Sequence, residues 1–188
     1  ISSLIESRIG NTMMMAGLVA LISIPLSISL GLFAAMQPGT SLDRMVTFGT
    51  LSTISVPEFF IATVLVLILA VNLKWLPSTT YLTGDETTWE LLKAIAMPLF
   101  TLVIVVSAQM IRMTRAGILN VMNSPYIEMA ILKGVPRKRI ILRHAFFNAI
   151  GPIVNVIALN LAYLVSGVVI VETIFSYPGL AKLMIDAV

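Results

Sequence analysis

The sequence predicts an all-α fold: a polytopic bundle of membrane-crossing helices with one short helical segment held outside the bilayer. Three observations carry that prediction. Of 188 residues, 58% are hydrophobic and 11% are charged, whereas an ordinary globular domain runs at ~45–50% apolar and ~25% charged. The charges are also missing from whole stretches: residues 9–42, 59–73, 94–111 and 145–171 hold no Asp, Glu, Lys or Arg. With Glu58 as the one interruption of the second span, each stretch supports a helix near the ~20 residues that a bilayer crossing requires. Finally, seven of the twelve basic residues (Arg112, Arg115, Lys133, Arg137, Lys138, Arg139 and Arg143) crowd into one segment, and that asymmetry sets orientation.

The elements then follow in order. A first span, about 10–36, runs inward to a short cytoplasmic loop, PGTSLDR at 38–44. A second, about 46–72, runs out and carries Glu58 directly after Pro57. The loop at 74–93 sets two Lys against Asp85, Glu86 and Glu90 and is flanked by Trp75 and Trp89, as an external loop with interfacial anchors would be. A third span, about 94–116, returns to a cytoplasmic segment at about 117–148, and a fourth, about 149–171, leaves again. Both ends are then external. Pro25, Pro57 and Pro98 each remove a backbone donor, which lipid tolerates only where a neighbour satisfies the freed carbonyl. No internal repeat or low-complexity segment interrupts residues 1–188, so one transmembrane domain is expected.

Composition excludes several functions. With no cysteine and one histidine, disulfides, thiolate metal sites and His clusters are ruled out, and no metal is expected. The basic cluster is short and bounded by spans, which argues against nucleic acid and for anionic lipid at the cytoplasmic surface. Residue 1 is Ile, and no basic n-region with a cleavage site precedes the first span, so an excised domain or fragment is expected.

The segment SPYIEMAILKGVPRKRIILRHAFFNAIGP is the unusual one. Ser124 is placed as an N-cap with Pro125 at the first helical position. Gly134 and Pro136 stop that helix after about nine residues and let a second begin. Two short helices joined at a glycine, too short and too charged to span, must bind a partner or lie on lipid headgroups.

Glu128-Met129-Ala130, three residues and Gly134 resemble the EAA loop of ABC importer permeases. RHAFFNAIGP at 143–152 and ETIFSYPGL at 172–180 resemble the dipeptide, oligopeptide and nickel type, specifically the first of its two permease subunits. SLDR, SVPEFF and LKWLP stand in the order of that family, so the resemblance covers essentially the whole chain. Met129 departs from the family's first Ala, and His144, Phe146 and Phe147 replace the Ile-x-Leu-Pro ending, as in the peptide-type subgroup.

The resemblance implies a subunit without catalytic residues or a bound cofactor. ATP and magnesium would be held by cytoplasmic ABC ATPase subunits whose closure this loop transmits to the membrane helices. It implies a second permease subunit in a heterodimer, a periplasmic or extracellular solute-binding protein, and a bacterial or archaeal plasma (inner) membrane. Family members carry a leading and a closing helix beyond these four spans. Glu128, Ala130, Gly134, Pro136 and Arg137 are the expected coupling residues. Glu128 would pair with a basic residue of the partner or with its own helix N-terminus, and the sequence leaves both open. Residues 137–139 serve topology and lipid first and ATPase contact second.

Within the spans, Glu58, Asn155 and Asn160 are the candidate pathway residues. An acid at Glu58's depth costs ~2.5–3.5 kcal/mol on insertion scales, which favours a cavity-facing position over a protonated, hydrogen-bonded one. The two amides read first as interhelical hydrogen-bonding groups, and the eleven methionines as gap-fillers. A secondary transporter would show two repeated halves with broken helices, and a receptor or scaffold a larger external loop. Both remain as alternatives to the importer. The substrate class (peptide, nickel complex, glutathione or sugar) has no determinant in these spans.

Overall fold

The computed structural model describes residues 2–80, 87–166 and 169–187, with side chains from residue 5 onward. Among these residues every regular element is helical. They are α1 (Ser2–Met36), α2 (Ser41–Ser55), α3 (Glu58–Leu65) running into a π-helical turn (Val66–Asn72), and α4 (Thr88–Met122). Then come α5 (Pro125–Leu132), α6 (Arg137–Ile140), a second π-helical turn (Ile141–Ala145), α7 (Phe146–Asn148), α8 (Ile150–Val165), α9 (Val169–Ile174) and α10 (Leu180–Asp186). Asp85 and Glu86 of the loop expected outside, and residues 167–168 of the fourth expected span, lie outside the described residues.

Three helical stretches are long and apolar enough to cross a membrane: Ile5–Met36, Thr88–Met122 and Ile150–Ile174. The broken pair Ser41–Ser55 and Glu58–Asn72 makes a fourth if it counts as one crossing. Two helices overrun the uncharged stretches, α1 at its start, at Ser2, and α4 at both ends, covering Thr88–Met122. Hydropathy marks the part of a helix that lipid can surround, but polar ends such as Glu90 and Arg115 hydrogen-bond in a helix equally well.

The three prolines behave differently. At Pro57 the chain stops being helical: α2 ends at Ser55 and α3 begins at Glu58, because Pro57 (φ −60°, ψ 142°) lacks an N–H and pushes the preceding residue out of the α region. The expected second span is therefore two helices. Pro25 and Pro98 instead lie inside continuous helices. Pro98 cannot donate to the carbonyl of Ala94, and the Thr80 hydroxyl does so at 2.8 Å. Thr80 also donates its N–H to the Phe175 carbonyl at 2.7 Å. Leaving such a carbonyl unpaired when buried costs ~1–3 kcal/mol, so Thr80 is what makes Pro98 tolerable.

Packing divides the chain into two compact units, one of Ile1–Ile22, Val56–Val105 and Leu161–Val188, the other of Ser23–Ser55 and Val106–Asn160. In the second unit, Ala35, Ile118, Ile141, Ala145, Ala149 and Ile153 form a buried cluster. Its alanines allow helices to approach closely, which is how apolar helices associate where lipid removes the hydrophobic drive. Gly31 shows how close: a Cβ there would stand 2.7 Å from Thr114 Cβ and 2.9 Å from the Ile111 carbonyl oxygen. In the first unit Ile95, Met97, Leu102, Leu164, Phe175 and Tyr177 are buried.

Candidate functional site

The segment that begins at Ser124 folds as a helix with a defined stop. Ser124 occupies the N-cap position (φ −85°, ψ 148°) and Pro125 starts the eight-residue α5. The expected side-chain cap is not formed. The Ser124 hydroxyl donates backwards to the Val121 carbonyl at 2.5 Å, so Pro125, whose missing N–H needs no partner at N1, begins the helix without it. At the other end Val135 N–H reaches the Ala130 carbonyl at 3.2 Å and Gly134 N–H reaches Ile131 at 2.9 Å. These two bonds make a Schellman cap, and Gly134 takes the left-handed φ of +73° that it requires.

On this scaffold Ala130 is half-buried, whereas Glu128, Gly134, Pro136 and Arg137 are exposed. Glu128 sits in the first turn of α5 and has no side-chain partner among the described residues. Ile127 is fully buried and anchors the helix. Its neighbours face outward, Leu132 at 74% and Met129 at 55% exposure, together with Tyr126 and Ile131. An open groove runs beside it, lined by Leu119, Met122, Ile131, Val135, Arg137 and Ile140.

Pro136 (φ −65°, ψ 139°) starts α6, which was expected to be a separate short helix. Instead the chain passes through the π-helical turn and α7 almost directly into α8, with a single turn residue at Ala149. Pro152 explains that break, since it offers no N–H to the Asn148 carbonyl and its ring crowds it. Basic residues 137–143 therefore form the entry to a long apolar helix. His144 is exposed.

Glu58 is the first residue of α3, half-buried. The Tyr163 hydroxyl donates to its Oε2, whereas Oε1 is shielded and meets no donor among the described residues. Asn160 donates to the Val156 carbonyl one turn back in its own helix at 2.8 Å. Asn155 is exposed, with no partner among the described residues. Neither amide bridges to another helix there. Glu58 belongs to the first unit and the two asparagines to the second.

Two further polar clusters were not assigned roles from the sequence. Asp43, 4% exposed, takes a bidentate pair from Arg115 (Nε to Oδ1 2.5 Å, Nη2 to Oδ2 2.9 Å) and the Gly39 N–H at 2.8 Å. The SLDR residues, expected in a loop, form the first turn of α2 and are tied to α4 by one of the basic residues counted only for topology. Glu172, 5% exposed, accepts the Thr12 hydroxyl at 3.0 Å and the Lys182 N–H at 3.0 Å. Thr12 in turn accepts the Leu180 N–H, Asn11 donates to the Pro178 carbonyl, and Tyr177 donates its hydroxyl to the Asn11 carbonyl. Burial, with the Glu172 charge adding to it, pushes the Tyr177 phenol above its ordinary range, so it stays a donor. Gly179 lies so close that a Cβ there would overlap the Glu172 carboxyl. The only sequence signal was the ETIFSYPGL string itself.

No group of three or more His, Asp or Glu that could hold a metal ion occurs among the described residues. The arrangement offers an exposed, largely apolar helix and acids that are paired or hydrogen-bonded, which suits docking and conformational change.

The chain is 30% identical over its whole length to the oligopeptide transport system permease protein AppB of Bacillus subtilis, and covers 60% of it. It is 32% identical, over 98% of its length, to a Sinorhizobium fredii protein named as a probable peptide ABC transporter permease, covering 59% of it. The chain thus spans about 60% of the length of these curated relatives. The family described as binding-protein-dependent transport system inner membrane component matches residues 27–188, and with its apolar helices this chain belongs to that family of multi-pass membrane proteins.

Proposed function

We propose that this chain is the transmembrane core of a permease subunit in an ATP-driven, binding-protein-dependent importer of peptides or related small solutes, working by alternating access. The observation that carries it is α5: an eight-residue helix, anchored by the buried Ile127 and closed by the Gly134 cap, that presents Tyr126, Met129, Ile131 and Leu132 outward. Such a face needs a partner to cover it. A cleft in a cytoplasmic ABC ATPase subunit fits its size, its rigidity and the exposed Glu128 in its first turn, with the exposed Arg137 following at the start of α6.

Hydrolysis, with its ATP and magnesium, then belongs to that ATPase, and this chain performs no covalent chemistry. A second permease subunit and an external solute-binding protein complete the assembly, in the plasma (inner) membrane of a bacterium or archaeon. Residues 1–188 are read as one permease domain with four crossings, α2 and α3 sharing one. The charge asymmetry supports α5 and α6 on the cytoplasmic side. Peptides are favoured as solutes by the names of the two relatives.

The test is reconstitution of the full-length permease with its partner subunits in proteoliposomes. Peptide uptake should require ATP, the ATPase and the binding protein together. Leu132→Asp, which puts a charge on the exposed face, should release the ATPase during purification while the permease pair stays assembled. Uptake without ATP, or unchanged retention of the ATPase in Leu132→Asp, contradicts the reading.

A further inference from the structure

Three fully or partly buried acids among the described residues are satisfied to different degrees. Asp43 has the Arg115 guanidinium, and Glu172 has a hydroxyl and a backbone N–H, one on each oxygen. Among the described residues Glu58 has only the Tyr163 hydroxyl, on Oε2. Its Oε1 is shielded from solvent without a donor, and no Lys, Arg or His among the described residues lies within ion-pair distance of it. A shielded acceptor without a donor costs ~1–3 kcal/mol, and more when it is charged. In a membrane protein such a group marks a place where something else supplies the donor.

The surroundings indicate what that is. Tyr163 is 41% exposed, and Phe59 and Phe60, next to Glu58 in the chain, are 52% and 53% exposed. The pair is thus approachable at Tyr163, and a carboxylate beside an accessible aromatic ring favours a cation over an anion. A primary ammonium brings both things the carboxyl lacks, N–H donors for Oε1 and a positive charge. A neutral amide brings only the first.

We propose that Glu58, oriented by Tyr163, forms a subsite for a primary ammonium group on the transported solute. The inference rests on the importer reading, in which every unblocked peptide carries such a group at its N-terminus. Tyr163 is a positioning residue: its hydroxyl holds one oxygen of the half-buried carboxyl and so sets the orientation in which the ligand meets it.

Two probes separate charge from shape, alaninamide (a cation at neutral pH) and N-acetylalaninamide (neutral). With the purified full-length complex, alaninamide should raise the thermal unfolding temperature and N-acetylalaninamide should not. The shift should vanish in Glu58→Gln and shrink in Tyr163→Phe. In proteoliposomes, trialanine uptake should fall about tenfold in Glu58→Gln, the loss of one charge-assisted contact. Equal shifts from both probes, or an alaninamide shift that survives in Glu58→Gln, overturn the subsite. So does loss of the second permease subunit in Glu58→Gln without any alaninamide effect in the wild type, which assigns the carboxyl to a subunit interface. If the wild-type complex takes up no trialanine but shows the Glu58-dependent shift, the subsite stands and the importer reading fails.

Discussion

Helices α5 and α9 end in the same backbone motif, and the chain uses the two ends differently. After α5, Gly134 takes φ +73° with open space around it. After α9 the same two cap bonds run from Ser176 N–H to Thr173 and from Tyr177 N–H to Glu172. There Ser176 holds φ +53°, which costs a residue with a Cβ more than glycine. The first cap is cheap, exposed and made to present a surface. The second is strained and sits inside the Glu172 cluster, which ties residues 11–12 to residues 172–182. The difference teaches that one glycine can be kept for its backbone freedom and another for its missing side chain. Gly179 has an ordinary φ, yet lies against a carboxyl that two donors hold in place.

Substitutions can break this comparison on either side. Gly179→Ala should be the most damaging, because its Cβ must evict the Glu172 carboxyl from both donors. A loss of about 3 kcal/mol, from overpacking and broken hydrogen bonds, should show as a large fall in thermal unfolding temperature of the purified full-length protein. Thr80→Val should follow at ~1–3 kcal/mol, since it frees the Ala94 carbonyl below Pro98, and Thr80→Ser should restore most of it. Gly134→Ala should cost only ~1 kcal/mol, from left-handed strain alone, and leave the rest of the molecule unchanged by hydrogen exchange. Ser176→Gly should have the smallest effect and the opposite sign, a gain of about 0.5 kcal/mol. If it destabilises, the Ser176 side chain has a role that the cap geometry does not contain.

The two regions also differ in how far the sequence disclosed them. The all-α class follows from uncharged stretches, and the stop at Gly134 from a glycine and proline two residues apart, because both signals are local. The direction of the Ser124 hydroxyl was not legible, since a serine before a helix has two carbonyl or amide partners within reach. Pro57 and Pro98 read alike as residues that remove a donor inside a span, and only geometry distinguishes them, since Thr80 rescues Pro98 from a loop. Glu172 and Thr12 are 160 residues apart, and no periodicity or spacing links them. Glu58 was legible as an exceptional acid, but its Tyr163 partner, 105 residues away, was not.

The central claim is that the segment from Ser124 to Arg137 couples an ATPase to the membrane helices through its shape. Gly134→Val keeps every charge but strains the turn that ends α5 and alters where α6 begins, whereas Glu128→Ala removes a charge and keeps the turn. The direct measurement is ATPase retention and substrate-stimulated ATP hydrolysis in the full-length complex carrying each variant. The account predicts that Gly134→Val loses most of the stimulation and Glu128→Ala less. Normal retention and stimulation in Gly134→Val would contradict it, leaving this segment a headgroup-binding element of the membrane surface.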